Sequence, residues 1–257
     1  MTQFSLSKVP EVTLGFWIIK IVATTLGEVG GNALSMTMNL GYFWSSVAFG
    51  IPLIIAVAAQ IRAKNFNSFL YWGTIALTTL AGTTLADFFD RSMGIGYPGG
   101  SLSLFALVMA TLVIWKKSLG SIDIKTVYTP KAEMFYWTAI MFSQTLGTAL
   151  GDWMADTSGL GYNGSALLIA GVLVVITLLH FFSQVSRVTL FWAAFILTRP
   201  LGATVANSLD KLPAQGGLGI SDLTATAVLA ILMVICLFVI PQRADQRGCI
   251  AESKLLH

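Results

Sequence analysis

The stretch that decides the fold of this chain is residues 72–97, WGTIALTTLAGTTLADFFDRSMGIGY. It opens with a tryptophan, has a glycine ten residues later and an aspartate five residues after that, and ends in a Gly-Ile-Gly-Tyr turn. The same register occurs four times along the chain. The tryptophans that open it, spaced 55, 65 and 55 residues apart, are Trp17, Trp72, Trp137 and Trp192. Such regular self-similarity predicts four tandem repeats.

The other landmarks of the stretch keep the same register. The glycines are Gly27, Gly82, Gly147 and Gly202, and the carboxylates or amides are Asn32, Asp87, Asp152 and Asn207. The turns are Asn39–Tyr42, Gly94–Tyr97, Gly159–Tyr162 and Gly217–Ile220. The repeats therefore span about 12–62, 67–117, 132–182 and 187–240. The longer central spacing suggests that a pair of repeats was duplicated.

The composition is that of a chain solvated by lipid. It has 257 residues, mean hydropathy +0.77 and 11% charged residues, whereas soluble domains have roughly 25%. Each repeat holds two apolar segments around its turn, and a span needs about 20 residues. Helices satisfy their own backbone groups within lipid. We therefore predict an all-α polytopic membrane protein, a single domain over 1–257, with eight transmembrane helices arranged as four two-helix repeats.

The basic residues predict the orientation. Eleven lie at the termini or between repeats: Lys8, Arg62, Lys64, Lys116, Lys117, Lys125, Lys131, Arg187, Arg243, Arg247 and Lys254. The turns within repeats hold two, Arg91 and Lys211. The positive-inside rule then places both termini and the loops between repeats in the cytoplasm. The four register tryptophans are expected at the cytoplasmic interface, with Lys20 snorkelling back to it.

A polar stripe follows the first helix of every repeat. Positions 7, 11, 15 and 18 after each tryptophan share one helix face. They are Thr24, Glu28, Asn32 and Ser35; Thr79, Thr83, Asp87 and Asp90; Gln144, Thr148, Asp152 and Ala155; Arg199, Ala203, Asn207 and Asp210. All but Ala155 and Ala203 are polar. We therefore expect the four first helices to meet at a central polar zone, with the second helices around them.

The charges in this zone define the candidate site. Glu28, Asp87 and Asp152 are deep carboxylates, and Arg199, followed by the helix-kinking Pro200, offsets one of their three negative charges. The remaining two would be neutralised by two protons or one divalent cation. Asn32 and Asn207 add neutral oxygens, and three aspartates lie towards the outer mouth: Asp90, Asp156 and Asp210.

Charges within a bilayer mark ion or substrate pathways. The first hypothesis is a transporter of a small cation, with proton coupling and a hard divalent metal ion as candidate substrate, held by Glu28, Asp87 and Asp152. The second is a small-molecule or anion permease anchored on Arg199. The third is a structural or sensory membrane protein, in which the polar residues brace the helices. Neither an enzyme constellation nor a nucleic-acid surface is predicted. The expected partners are the lipid bilayer and a small substrate, no cofactor beyond a bound divalent cation is expected, and oligomerisation stays open.

The register tryptophan, the two-helix unit and the Gly-Leu-Gly-Tyr turns resemble a bacterial family of uncharacterised membrane-anchored proteins built from four copies of a repeat of unknown function. The resemblance covers Trp17 to Ile240 and implies four two-span repeats in a bacterial cytoplasmic membrane. It implies no activity. Repeat four departs from the pattern with Arg199, Ala203 and Ile220, which argues against a strictly fourfold symmetric pore.

Overall fold

The structure, a computed structural model, describes residues 7–157, 159–213 and 217–244. Over these residues the chain is all-helical apart from its turns and one isolated β-bridge, Pro10 to Ala244. The eight α-helices are α1 (Leu14–Asn32), α2 (Tyr42–Arg62), α3 (Ser68–Asp87), α4 (Gly96–Leu119), α5 (Pro130–Asp152), α6 (Gly161–Phe182), α7 (Arg187–Asp210) and α8 (Asp222–Val239). The all-α prediction is confirmed. The basic residues Arg247 and Lys254, which contribute to the predicted orientation, lie outside the described residues.

Six of these helices, or their extensions, are long and apolar enough to cross a membrane. They are Leu14–Thr37, Tyr42–Arg62, Gly96–Leu119, Gly161–Phe182, Arg187–Asp210 and Asp222–Val239. The other two, α3 and α5, are more polar, because threonines interrupt α3 and Lys131 and Glu133 begin α5. The outer surfaces of α6 and α8 are almost wholly apolar and exposed.

The first helices of the repeats form a closed ring. Helix α1 contacts α3 and α7, and α5 contacts the same two helices. Each second helix packs on the first helix of the following repeat: α2 on α3, α4 on α5 and α6 on α7. Helix α8 completes the circle by packing on α1. The ring therefore has an inner layer of four polar-striped helices and an outer layer of four apolar ones.

The register glycines allow the inner helices to approach closely. A Cβ at Gly27 would overlap Thr79, one at Gly82 would meet Gln144 at 3.0 Å, and one at Gly147 would overlap Arg199. The series closes at Gly202, whose Cβ would overlap Thr24. Each repeat thus sets its residue at position 7 against the glycine of the repeat before it. Small residues at such contacts are typical of membrane helix packing.

The turns at one end of the ring, which we call the turn end, use left-handed backbone. In the first three repeats the first and third turn residues both have positive φ: Asn39 (55°) and Gly41 (76°), Gly94 (75°) and Gly96 (74°), Gly159 (78°) and Gly161 (65°). Asparagine tolerates this region better than other side chains, which explains why Asn39 can replace the first glycine.

The opposite end, which we call the tryptophan end, is closed by aromatic side chains. Trp72, Trp137 and Trp192 are buried, at 0%, 5% and 3% exposure. Trp72 donates to Gln242 Oε1 at 3.1 Å, and Trp192 donates to the Ile122 carbonyl at 3.0 Å. These three rings therefore do not face lipid, because they pack against neighbouring rings inside the bundle, and their depth at the cytoplasmic interface stays a prediction.

Candidate functional site

Four polar side chains meet at the middle of the ring, in what we call the central cluster: Glu28, Thr83, Thr148 and Arg199. The Arg199 Nη2 group donates to Glu28 Oε2 at 2.9 Å, to Thr83 Oγ1 at 2.6 Å and to Thr148 Oγ1 at 2.5 Å. Glu28 is 1% exposed, and the other three are wholly buried. One buried ion pair thus joins α1 and α7, and two threonines join it to α3 and α5.

The central cluster follows from repeat position. Glu28, Thr83 and Thr148 all stand at position 11, so the closed ring brings them to one level. Arg199 stands at position 7, one turn closer to the tryptophan end, and its long side chain reaches up to them. In repeat four, position 11 is Ala203, so the polar group that this repeat contributes to the cluster comes from Arg199 instead.

A second group of polar residues lies one turn closer to the turn end, in what we call the outer cluster: Asp87, Arg91, Asp152 and Asn207. Arg91 Nε lies 2.8 Å from Asp87 Oδ1, and Arg91 Nη2 donates to Asp152 Oδ2 at 3.1 Å. Asn207 Nδ2 donates to Asp152 Oδ1 at 3.2 Å. The two aspartates stand at the same repeat position on neighbouring helices, and one guanidinium bridges them.

Exposure distinguishes the two clusters. The side chains of Asp87 and Asp152 are 3% and 5% exposed, whereas the Arg91 side chain is 37% exposed. The Arg91 guanidinium also lies over the Tyr97 ring, 5.7 Å from its centroid. Arg91 is therefore the part of the outer cluster that solvent or a solute at the turn end can reach. Asn32, at the same repeat position on α1, is buried at 4% exposure.

Arg91 is the site residue that the stripe does not predict, and local helix geometry explains why. After Asp87 the chain passes from α-helix into a π-helical turn, Phe88–Ser92. A π-turn holds more residues than an α-turn. The residue at position 19, Arg91, therefore faces the ring in place of position 18, Asp90. Its i,i+4 spacing from Asp87 is the one signal in the sequence that favours this pair.

The three aspartates predicted at the outer mouth are in different environments. Asp156 is exposed and accepts hydrogen bonds from the hydroxyls of Tyr162 at 2.9 Å and Tyr97 at 3.4 Å. The Asp210 side chain is 4% exposed, with Lys211 Nζ 3.8 Å from its Oδ2. Asp90 is buried against Gly100 of α4. The structure therefore turns Asp90 away from the outer cluster.

The three carboxylates predicted as metal ligands are divided between two arginines. Glu28 pairs with Arg199 in the central cluster, and Asp87 and Asp152 share Arg91 in the outer one. Over the described parts of the chain, no three His, Cys, Asp or Glu residues are grouped as metal ligands would be. When ionised, the three carboxylates have three negative charges. Arg199 offsets one of them and Arg91 offsets a second, so one negative charge remains.

Lys20 belongs to the polar interior as well. Its side chain is fully buried, with Nζ 4.1 Å from the centroid of the Phe195 ring on α7. The snorkelling predicted for it is therefore wrong, because the ammonium group is enclosed within the bundle.

The fold and the polar interior together define an all-helical protein of membrane-like character with internal repeats. Residues 15–66, 70–120, 135–186 and 190–240 each match the family described as Repeat of Unknown Function (DUF347). Four matches cover most of the chain, and the protein belongs to this family. The chain matches none of the curated proteins and none of the solved structures with which it was compared.

Proposed function

We propose that this protein is a membrane transporter of a small cation, with Asp87 and Asp152 as the cation-binding pair. The observation that supports this most is the shared guanidinium. Two buried carboxylates from equivalent repeat positions hold one Arg91 side chain that is 37% exposed at the turn end. A cation arriving from that end can replace the guanidinium without disturbing the central ion pair.

The charge of the outer cluster limits what it binds. With Arg91 in place, Asp87 and Asp152 have one net negative charge, which suits one proton or one monovalent cation. A hard divalent ion requires the guanidinium to withdraw, since carboxylates bind it best when both are free. Divalent transport would therefore be an exchange between Arg91 and the ion, and a proton on the pair would compete with both.

The proposal includes eight membrane spans, with both termini in the cytoplasm of a bacterial inner membrane. Helices α3 and α5 have 20 and 23 residues, and about 20 residues cross the hydrocarbon at 1.5 Å rise each. Their polar sides face the ring, and α2 and α4 pack on them. These neighbours reduce the lipid contact that would penalise threonine or aspartate.

The test is transport by the purified protein in liposomes. Entry of Mn²⁺ is followed with a trapped metal-quenched dye, entry of Na⁺ or K⁺ with isotopes, and proton movement with a trapped pH dye. Asp87→Asn and Asp152→Asn are each expected to lower cation flux by at least tenfold, because the bound cation loses half of its counter-charge. Asp123→Asn, at a carboxylate in the loop between repeats two and three, is the matched control and should keep wild-type flux.

Arg91→Gln tests whether the cation displaces the Arg91 guanidinium or the guanidinium only braces the two carboxylates. If Arg91 competes with the cation, its removal lowers the half-saturating cation concentration by about tenfold, equivalent to roughly 1.4 kcal/mol. Liposomes that move none of the probes, together with Asp87→Asn and Asp152→Asn proteins that only lose thermal stability, would refute transport and favour the bracing hypothesis.

A further inference from the structure

Three buried side chains on the tryptophan side of the central cluster have polar atoms without hydrogen-bond partners among the described residues. The atoms are Lys20 Nζ, Arg199 Nε and Nη1, and both amide atoms of Gln144. All three side chains are fully buried. An unpaired buried donor costs free energy, and a charged one costs more. These atoms are therefore available to hydrogen-bond with a ligand.

The repeat geometry brings these side chains to the same part of the ring. Gln144 and Arg199 both stand at position 7, on the adjacent helices α5 and α7. Lys20 stands at position 3 on α1, the other neighbour of α7. Its ammonium group lies over Phe195, which precedes Arg199 by one helical turn, about 5.4 Å along the axis.

The charges in this region do not balance when Lys20 is protonated. Lys20 and Arg199 then contribute two positive charges, and Glu28 contributes one negative charge, bound to Arg199 Nη2. One positive charge is left, on the tryptophan side of the central ion pair. The outer cluster has one negative charge left on the opposite side. The interior is thus divided into a positive inner half and a negative outer half.

We propose that Lys20, Gln144 and Arg199 form a binding site for one small monovalent anion, either an inorganic anion such as chloride or the carboxylate of a short organic acid. Lys20 Nζ and the free Arg199 nitrogens supply charged donors, and the Gln144 amide supplies a neutral one. This site lies apart from the cation-binding pair and binds the opposite charge. It stands whether or not Asp87 and Asp152 transport a cation.

The test is anion-dependent stability of the purified full-length protein in a neutral detergent. Unfolding is followed by intrinsic tryptophan fluorescence at constant ionic strength, with sodium chloride or sodium formate replacing sodium gluconate, whose anion is too bulky for the site. The wild type is expected to gain about 2–4 °C in melting temperature, saturably, with the anion that fits. A chloride-only gain identifies an inorganic anion, and a formate-only gain identifies a carboxylate.

Lys20→Met removes the charge and keeps the length of the side chain, and it should abolish the anion-dependent gain. Gln144→Leu, which keeps both charges, should weaken it and provides a second variant if Lys20→Met does not fold. The matched control is Lys116→Met, at an exposed lysine near the end of α4, which should respond as the wild type does. Equal melting temperatures of the wild type in all three salts, or a gain that persists in both Lys20→Met and Gln144→Leu, would overturn the proposal.

Discussion

At the residue scale, one arginine organises the middle of the bundle. Arg199 replaces the small polar residue or amide that the other repeats have at position 7, and its guanidinium joins Glu28 to two threonines. Breaking a buried pair by removing one partner leaves an uncompensated charge, which is more costly than removing both. The stability of the ring should therefore depend on the two charges jointly.

Arg199→Gln is expected to lower the free energy of unfolding by about 3–5 kcal/mol, because Glu28 then stays buried without its partner. Adding Glu28→Gln should restore most of that loss, which a double-mutant cycle in detergent would measure. Asp156→Asn, at an exposed carboxylate, serves as the control and should change stability little. Losses that simply add in the double variant would contradict a direct ion pair.

A second residue-scale feature is that Arg91 faces the ring, whereas the helical stripe predicts that Asp90 does. The two are adjacent in sequence, yet one is buried against α4 and the other bridges two carboxylates. Their opposite charges mean that a shift of one residue changes the outer cluster from strongly acidic to nearly balanced. Charge at this level is therefore controlled by backbone geometry as much as by composition.

At the element scale, π-helical turns determine which residue faces the ring at the level of the outer cluster. The inner helices of the first three repeats end in such turns: Ala33–Thr37, Phe88–Ser92 and Trp153–Thr157. Each begins directly after the residue at position 15. Helix α7 instead stays α-helical to Asp210. π-Turns often occur at functional sites, and these three lie beside the outer cluster.

The other element-scale feature is the contact between the α1 extension and α8, which completes the outer layer of the ring. Thr37, at the end of the α1 extension, donates to Asp222 at the start of α8 at 2.5 Å. In a protein whose native Cys236 and Cys249 are replaced by serine, Thr37→Cys and Asp222→Cys should be joined within one chain by a short bis-methanethiosulfonate cross-linker. The reagent forms a disulfide with each thiol and releases methanesulfinate. An increase in gel mobility that a reductant reverses would show the cross-link.

The control pair, Thr37→Cys with Leu102→Cys, places the second thiol on the exposed face of α4, which packs on α5. It should give no such band. Cross-links formed only between chains would contradict closure of the ring by α8 of the same molecule and would indicate exchange of this helix between copies.

At the scale of the whole molecule, the ring has two unlike ends. The tryptophan end is closed by packed aromatic rings, including the Tyr71 and Tyr136 hydroxyls 2.5 Å apart. The N-terminal segment also crosses it, where Lys8 Nζ donates to Glu133 Oε1 at 2.6 Å and to the Gln60 carbonyl at 3.2 Å. The turn end instead exposes Arg91. In this conformation the outer cluster is more accessible than the central cluster. This difference agrees with entry of a cation from the turn end.

The proposed orientation predicts which loops an impermeant reagent can reach. Asn65→Cys, between repeats one and two, should react with a charged maleimide only after the cells are permeabilised, because that loop would be cytoplasmic. Met38→Cys, in the first turn and exposed at 61%, should react in intact spheroplasts of a bacterial host. Both tests use the protein without its native cysteines, and the reverse labelling pattern would show that the orientation is inverted.

The sequence by itself determined the repeats, the helical class and most of the polar interior. Their signals are local or periodic: a tryptophan register, glycines at fixed spacing, and polar residues on one helix face. Because Glu28, Thr83 and Thr148 share position 11 after their tryptophans, the sequence alone predicts that they lie at one level along the ring axis. The positive-φ turns were also encoded locally, since only glycine or asparagine is readily accommodated there.

Only the tertiary structure decided how these residues pair. The burial of Lys20 and of three register tryptophans, Trp72, Trp137 and Trp192, depends on aromatic packing among helices far apart in sequence. The position of Arg91 depends on a π-turn that no α-helical spacing anticipates. The pairing of Glu28 with Arg199, and of Asp87 and Asp152 with Arg91, also depends on the tertiary structure. A side chain's neighbours within a ring are set by the other helices and not by its own.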